Sequence, residues 1–181
     1  HPTLRRQRQM CIRDRPYIND NFYGASNLAF ATTAMSLAMI AGTFAYGPMD
    51  RIFSTRKWII FIGSSVSLVT LISLALFNEI SFNVAVLLFC TLGFFGMSYP
   101  LMIAHGRSFS PENLTGRCVT LLNMFAIGGV GIFQFLTGRI FSKITEVHNN
   151  NHEAYTIIFL FYASALFLGL ILYLKSKDRL D

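Results

Sequence analysis

Five long apolar stretches, separated by short polar ones, dominate the pattern of hydrophobic and polar positions. A helix needs about 20 mainly apolar residues to cross the hydrocarbon core of a bilayer. Stretches of that length occur at about 24–47, 58–77, 83–104, 117–139 and 154–174. They could not all be core helices of one soluble domain, because no polar faces would remain to meet water. The pattern therefore predicts an all-α, polytopic membrane helix bundle with five transmembrane helices.

Composition supports this prediction. Hydrophobic residues make up 53% of the chain and charged residues only 13%, whereas a soluble domain usually carries about 25% charged residues. The net charge is +6, and residues 1–15 supply most of it, with five Arg against one Asp. The remainder carries no basic face of the kind that binds nucleic acid. We therefore expect a lipid bilayer, and no nucleic acid, as a partner.

Lysine and arginine are distributed unequally between alternate loops. Eight of them fall in the loops on one side and two, Arg139 and Lys143, in those on the other. Cytoplasmic loops of membrane proteins carry the excess of positive charge. The alternation predicts that the basic loops and the C-terminus are cytoplasmic. We expect the protein to lie in the inner membrane of a bacterium.

Residues 1–15 do not continue the apolar pattern. They read HPTLRRQRQMCIRDR and contain no apolar core of a secretory signal peptide. The stretch resembles translated sequencing-adapter sequence, and we interpret it as non-native; a genuine basic cytoplasmic segment is the alternative. On the first interpretation, residues 16–181 are the domain and the chain is a fragment.

One polar loop carries a recognisable motif. Gly47-Pro48-Met49-Asp50-Arg51 is followed by Arg56-Lys57. This resembles the signature loop of the major facilitator superfamily (MFS), which joins the second and third helices of each six-helix half. The chain departs from that pattern in two places: Gly47 is three residues before the Asp rather than four, and Ser54-Thr55 stand where a second glycine is expected.

The resemblance implies a role for the loop. In the family, the Asp pairs with groups of the other half and latches one conformation. Asp50, Arg51, Arg56 and Lys57 would then form a conformational gating loop that holds the outward-open state and releases it during transport. The alternative is a loop whose charges only set the topology.

A second resemblance indicates which half the chain represents. The segment from His105-Gly106-Arg107 to Gly138 looks like the family's join between its tenth and eleventh helices, and Pro100 is expected to kink the helix before it. The resemblance implies the C-terminal half without its first helix, and the missing N-terminal half as a partner. An N-terminal half would instead require a long basic loop after residue 181.

Polar side chains within the spans are candidates for a substrate cavity. They are Asn27, Thr33, Tyr99, Asn123 and Gln134. An amide in hydrocarbon needs a partner, so it faces the bundle or a wet cavity. All five lie in the first, third and fourth spans, which the resemblance places around the family's cavity, and the second and fifth spans would face lipid. The alternative is that these side chains only join helices.

These observations favour secondary active transport of a small solute by alternating access. The alternative is a non-transport polytopic membrane protein, such as a sensor or an assembly subunit. An enzyme is not expected, because no acid, base or metal-binding residues cluster within the spans. Cys90 and Cys118 lie in apolar stretches, so we expect no metal site and no cofactor.

Overall fold

The computed structural model describes residues 25–77, 80–148 and 151–178. The interpretation of residues 1–15 lies outside this part of the chain. The described residues form six α-helices and one short 3-10 turn, without strands. They are α1 (Ala25–Phe53), α2 (Lys57–Leu76), α3 (Phe82–Gly96), α4 (Tyr99–Arg107), the 3-10 turn (Glu112–Leu114), α5 (Thr115–His148) and α6 (Asn151–Leu174). The fold is all-α, as the apolar pattern predicts.

Five helical stretches of the described chain are long and apolar enough to cross a membrane. They are Asn27–Phe53, Lys57–Leu76, Phe82–Arg107, Glu112–Glu146 and Glu153–Leu174. The third contains both α3 and α4. The prediction of five membrane helices is therefore confirmed.

Two buried apolar clusters hold the helices together at opposite ends of the bundle. The first joins the starts of α1, α3 and α6 to the end of α2, through Ala31, Leu74, Val86, Phe89 and Tyr155. The second joins the end of α1 and the start of α2 to α4, through Tyr46, Ile60 and Leu101. The spans therefore run alternately up and down. On one side of the bundle α1, α4 and α6 end, and α2 and α5 begin. We call this side the loop end.

The first helix is longer than the apolar stretch that predicts it. It continues past Pro48 to Phe53, although a proline inside a helix removes a backbone donor and crowds the carbonyl four residues earlier. Asp50 and Arg51 consequently lie in the last turn of α1. The connection to α2 is only Ser54–Arg56.

The third span is interrupted close to the predicted position. α3 ends at Gly96, and the N–H groups of Met97 and Ser98 donate to the carbonyls three residues earlier, at 3.3 Å each. Pro100 then occupies the first turn of α4, where its missing N–H is tolerated. The break separates α4, which carries Tyr99 and His105, from the rest of the span.

The approach of α1 to α3 depends on glycine. A Cβ atom on Gly42 would lie 2.5 Å from the carbonyl oxygen of Phe94, and one on Gly93 would lie 3.2 Å from Cγ of Met39. Small residues allow membrane helices to pack backbone to backbone. Here they set the distance between the first and third spans.

We expect Gly42→Ala to destabilise the bundle by about 1–3 kcal/mol, because the added methyl group meets a backbone carbonyl that cannot move without displacing α3. Gly47→Ala is the matched control in the same helix, since nothing lies within 4 Å of its Cβ position. Thermal unfolding of the purified proteins in detergent, monitored by size-exclusion chromatography, measures the stability of both variants. Equal midpoints for the two variants would show that α1 and α3 are not in close contact.

Candidate functional site

A cluster of polar side chains occupies the loop end of the bundle. It is built from the last turn of α1, the connection Ser54–Arg56, the start of α2, the ends of α4 and α6, and the segment Lys175–Asp178, which we call the α6 extension. All four residues of the predicted gating loop belong to it. The remaining members come from parts of the chain about 50 to 120 residues away.

Asp50 and Arg56 form an ion pair inside this cluster. Nε of Arg56 donates to Oδ2 of Asp50 at 3.3 Å, and the side chains are only 10% and 17% exposed for Arg56 and Asp50 respectively. Arg51 is exposed and has no ion-pair partner within the described residues. The carboxylate of Asp50 is thus held within this bundle, whereas the guanidinium of the neighbouring Arg51 is available to groups outside it.

Ser54 gives the connection an unusual backbone conformation. Its φ is +48°, the only positive φ at a non-glycine residue in the described ranges. Glycine adopts this left-handed conformation without steric penalty. Ser54 is one of the two residues that stand where the family pattern expects a glycine, so the geometry supplies a physical reason for that preference.

Lys57 and Asp178 cap each other's helices. Oδ1 of Asp178 accepts hydrogen bonds from the backbone N–H groups of Lys57 at 3.1 Å and Arg56 at 3.3 Å, and Oδ2 accepts one from the Thr55 hydroxyl. In return, Nζ of Lys57 donates to the carbonyls of Leu174 at 2.7 Å and Ser176 at 2.6 Å. A carboxylate thus meets the positive end of α2 and an ammonium group meets the negative end of α6. We call this arrangement the reciprocal cap.

The environment of Asp178 favours its ionised form. Burial by itself would raise the pKa of this carboxyl, but the hydrogen bonds from the Thr55 hydroxyl and from the backbone of Lys57 and Arg56, together with nearby His105, outweigh burial and lower the pKa below its usual value. Hydrogen bonds to a carboxylate stabilise its charged state. Asp178 is therefore an anion at neutral pH.

His105 ties α4 to the end of α6. It is 2% exposed, its Nε2 lies 3.1 Å from the carbonyl oxygen of Lys177, and its Nδ1 lies 2.7 Å from the hydroxyl of Tyr173. A carbonyl only accepts, so Nε2 carries the hydrogen, and in the neutral imidazole Nδ1 accepts from the tyrosine. The sequence indicated a residue at a helix end, but not this pair of contacts.

The cavity candidates are only partly brought together. The Tyr99 hydroxyl donates to Oδ1 of Asn123 and joins α4 to α5. Thr33 is exposed but donates to the carbonyl of Ala29 in its own helix, at 2.8 Å. Asn27 is half-buried near the start of α1, and Gln134 is exposed on α5. Asn123 and Gln134 are about three turns apart on one helix, so they share a face.

A comparison with known protein families identifies the chain. The sequence model of the family described as Major Facilitator Superfamily matches residues 15–180 of the chain. The chain belongs to the major facilitator superfamily. No curated protein and no solved structure gave a match.

Membership of the MFS accounts for the membrane helices and indicates a general role in transport. MFS proteins transport small solutes across membranes, and the five apolar helices make this chain an integral membrane protein. The loop-end cluster contains the loop that resembles the MFS signature loop. Sequence reasoning identified Asp50, Arg51, Arg56 and Lys57, but missed Asp178 and Tyr173. The available signal for Asp178 was an acidic residue beside the basic residues Lys175 and Lys177, shortly after the end of the last helix.

We expect Ser54→Gly to stabilise the protein by about 1 kcal/mol or less, because relief of the left-handed conformation is offset in part by the greater freedom of glycine in the unfolded chain. Ser54→Val should destabilise it, since a β-branched residue tolerates positive φ poorly. Thermal unfolding in detergent ranks the three proteins. A valine variant as stable as the glycine variant would be inconsistent with the positive φ.

Proposed function

We propose that the chain is part of the C-terminal half of a secondary active transporter that moves a small solute by alternating access. The observation that carries this proposal is the uneven burial of the spans. Half of the most apolar window of α2 is buried within the chain, whereas none of the corresponding window of α5, 11% of that of α1 and 17% of that of α6 is buried. The least buried helices are thus two that carry polar side chains.

This distribution fits a bundle that has one face directed at a partner. Polar Asn27 and Thr33 lie on α1, and Asn123 and Gln134 on α5. Amide and hydroxyl groups are unfavourable against lipid but suit a wet cavity. We propose that an N-terminal half packs against this face and that the solute binds between the halves.

Tyr99 and Asn123 are the best-supported pair in the proposed cavity. They come from different helices and already share a hydrogen bond, and Tyr99 is 39% exposed. A polar solute can compete for the same donor and acceptor. Asn27, Thr33 and Gln134 are proposed as further contacts.

The signature loop is proposed as the gate. Asp50 is held by Arg56 within the bundle, and exposed Arg51 is available to a second bundle. An ion pair at a helix end near water is weak enough to break and reform during a conformational cycle. The excess of positive charge in these loops supports a cytoplasmic position for the gate and for the C-terminus, and we propose that the protein lies in the inner membrane of a bacterium.

We expect Asp50→Asn to shift the balance between outward-open and inward-open states of the complete transporter. The probe is Gln134→Cys, with the native cysteines, Cys90 and Cys118 among them, replaced by serine; it is labelled by a membrane-impermeant maleimide in right-side-out and inside-out vesicles. Alternating access predicts labelling from both sides. Loss of the Asp50 charge should lower the outside-to-inside ratio about twofold to fivefold, the equivalent of a weak ion pair.

The control is Leu168→Cys on α6, an exposed aliphatic position that should stay unlabelled from either side because it faces lipid. A sensor or an assembly subunit would show labelling of Gln134→Cys from one side at most and no response to Asp50→Asn. That result would reject transport by alternating access.

A further inference from the structure

The N-cap residue of α2 supplies no side-chain cap. Arg56 occupies the N-cap position, with φ −101° and ψ −40°, and makes no side-chain capping hydrogen bond. Ser, Thr, Asp and Asn are the residues that normally satisfy the free N–H groups of a first turn. Here Asp178, 121 residues beyond Lys57, does so.

We propose that the α6 extension is an intramolecular clamp on the MFS signature loop, with Asp178 as its positioning residue. Its carboxylate holds three consecutive residues of the connection: the hydroxyl of Thr55 and the N–H groups of Arg56 and Lys57. Thr55 Oγ1 also accepts from the N–H of Trp58 at 3.4 Å. The path of the chain from α1 into α2 is thus fixed by a group outside both helices.

The clamp reaches the gating carboxylate through one residue. The backbone of Arg56 is bound by Asp178, and its guanidinium is bound to Asp50. A change at Asp178 therefore alters the position from which Arg56 reaches Asp50. The hydrogen bonds of Asp178 to described residues go to Thr55, Arg56 and Lys57, so the route to Asp50 runs through Arg56.

The extension is itself held by two other helices of the bundle. Lys57 binds the carbonyls of Leu174 and Ser176, and His105 at the end of α4 binds the carbonyl of Lys177. Contacts from α2 and α4 thus converge on four residues that follow α6. The signature loop consequently moves together with its own bundle when the loop end opens.

The relevance of the clamp to gating rests on the proposed function, but its existence does not. The two are tested by different measurements on the complete transporter in lipid nanodiscs. Hydrogen–deuterium exchange of peptides covering residues 54–60 reports the capped N–H groups. The labelling ratio of Gln134→Cys reports the gate.

We expect Asp178→Ala to increase exchange at the start of α2 about 3- to 30-fold, the range that corresponds to loss of a helix cap. Asp178→Asn should stay within about twofold of the parent, because an Asn oxygen caps a helix about as well as an Asp oxygen. Glu112→Ala is the control, an exposed carboxylate on the same side of the bundle, and should leave this exchange unchanged. Rescue by Asn separates capping from a simple charge effect.

Two results would overturn the clamp. One is unchanged exchange in Asp178→Ala; the other is an Asn variant that behaves like the Ala variant. Exchange in peptides of α3 checks that Asp178→Ala is folded. If the Asp178→Ala variant is not folded, a cross-link tests the contact instead. A short bifunctional thiol reagent should join the cysteines of the double variant Thr55→Cys, Asp178→Cys. Failure to join them while both cysteines are reactive rejects the contact.

The gate supplies the functional readout. Asp178→Ala should shift the Gln134→Cys labelling ratio in the same direction as Asp50→Asn, and Asp178→Asn should not. If exchange responds but labelling never depends on Asp50 or Asp178, the clamp stands and the proposed gating function fails. If labelling responds to Asp50 while exchange ignores Asp178, the gate stands and the clamp fails.

Discussion

A peptide group in the hydrocarbon core of a bilayer has no water to bind, so each span has to satisfy its backbone within a helix. The hydroxyl side chains of the described spans follow the same constraint. Ser67, Thr70 and Thr137 are buried, and each donates to a carbonyl one turn earlier in its own helix. The constraint is relaxed only at helix ends. The polar chemistry of this protein is accordingly concentrated at the loop end and at the break before α4.

The same constraint explains which features could be predicted from the sequence. Span length and apolarity are local properties, so the number of spans and the all-α fold followed from the chain alone. The apolar stretch predicted an end of the first helix at about residue 47, whereas the structure continues it to Phe53. The local sequence becomes polar at this point, but Tyr46 and Met49, on either side of Pro48, pack in the second apolar cluster, and this tertiary packing favours continuation of the helix.

The loop-end cluster shows where prediction from sequence stops. The motif identified Asp50, Arg51, Arg56 and Lys57 because they are close together along the chain. The reciprocal cap joins Lys57 and Asp178, and no sequence pattern relates residues so far apart. The cavity candidates were chosen by the rule that polar groups avoid lipid. That rule selects the residues but not their partners, so the hydrogen bond between Tyr99 and Asn123 needed the structure.

The energetics of the signature loop argue for a division between fixed and exchangeable contacts. The reciprocal cap combines several charge-assisted hydrogen bonds between groups of one bundle, and such bonds are stronger than neutral ones. Within the described residues, Asp50 instead has one ion pair, to Arg56 at 3.3 Å. A group of the proposed second bundle would compete with that single ion pair for Asp50. In the proposed gating cycle, opening and closing would exchange the partner of Asp50 while the cap keeps the start of α2 in place, so the element that switches and the element that supports it would be separate.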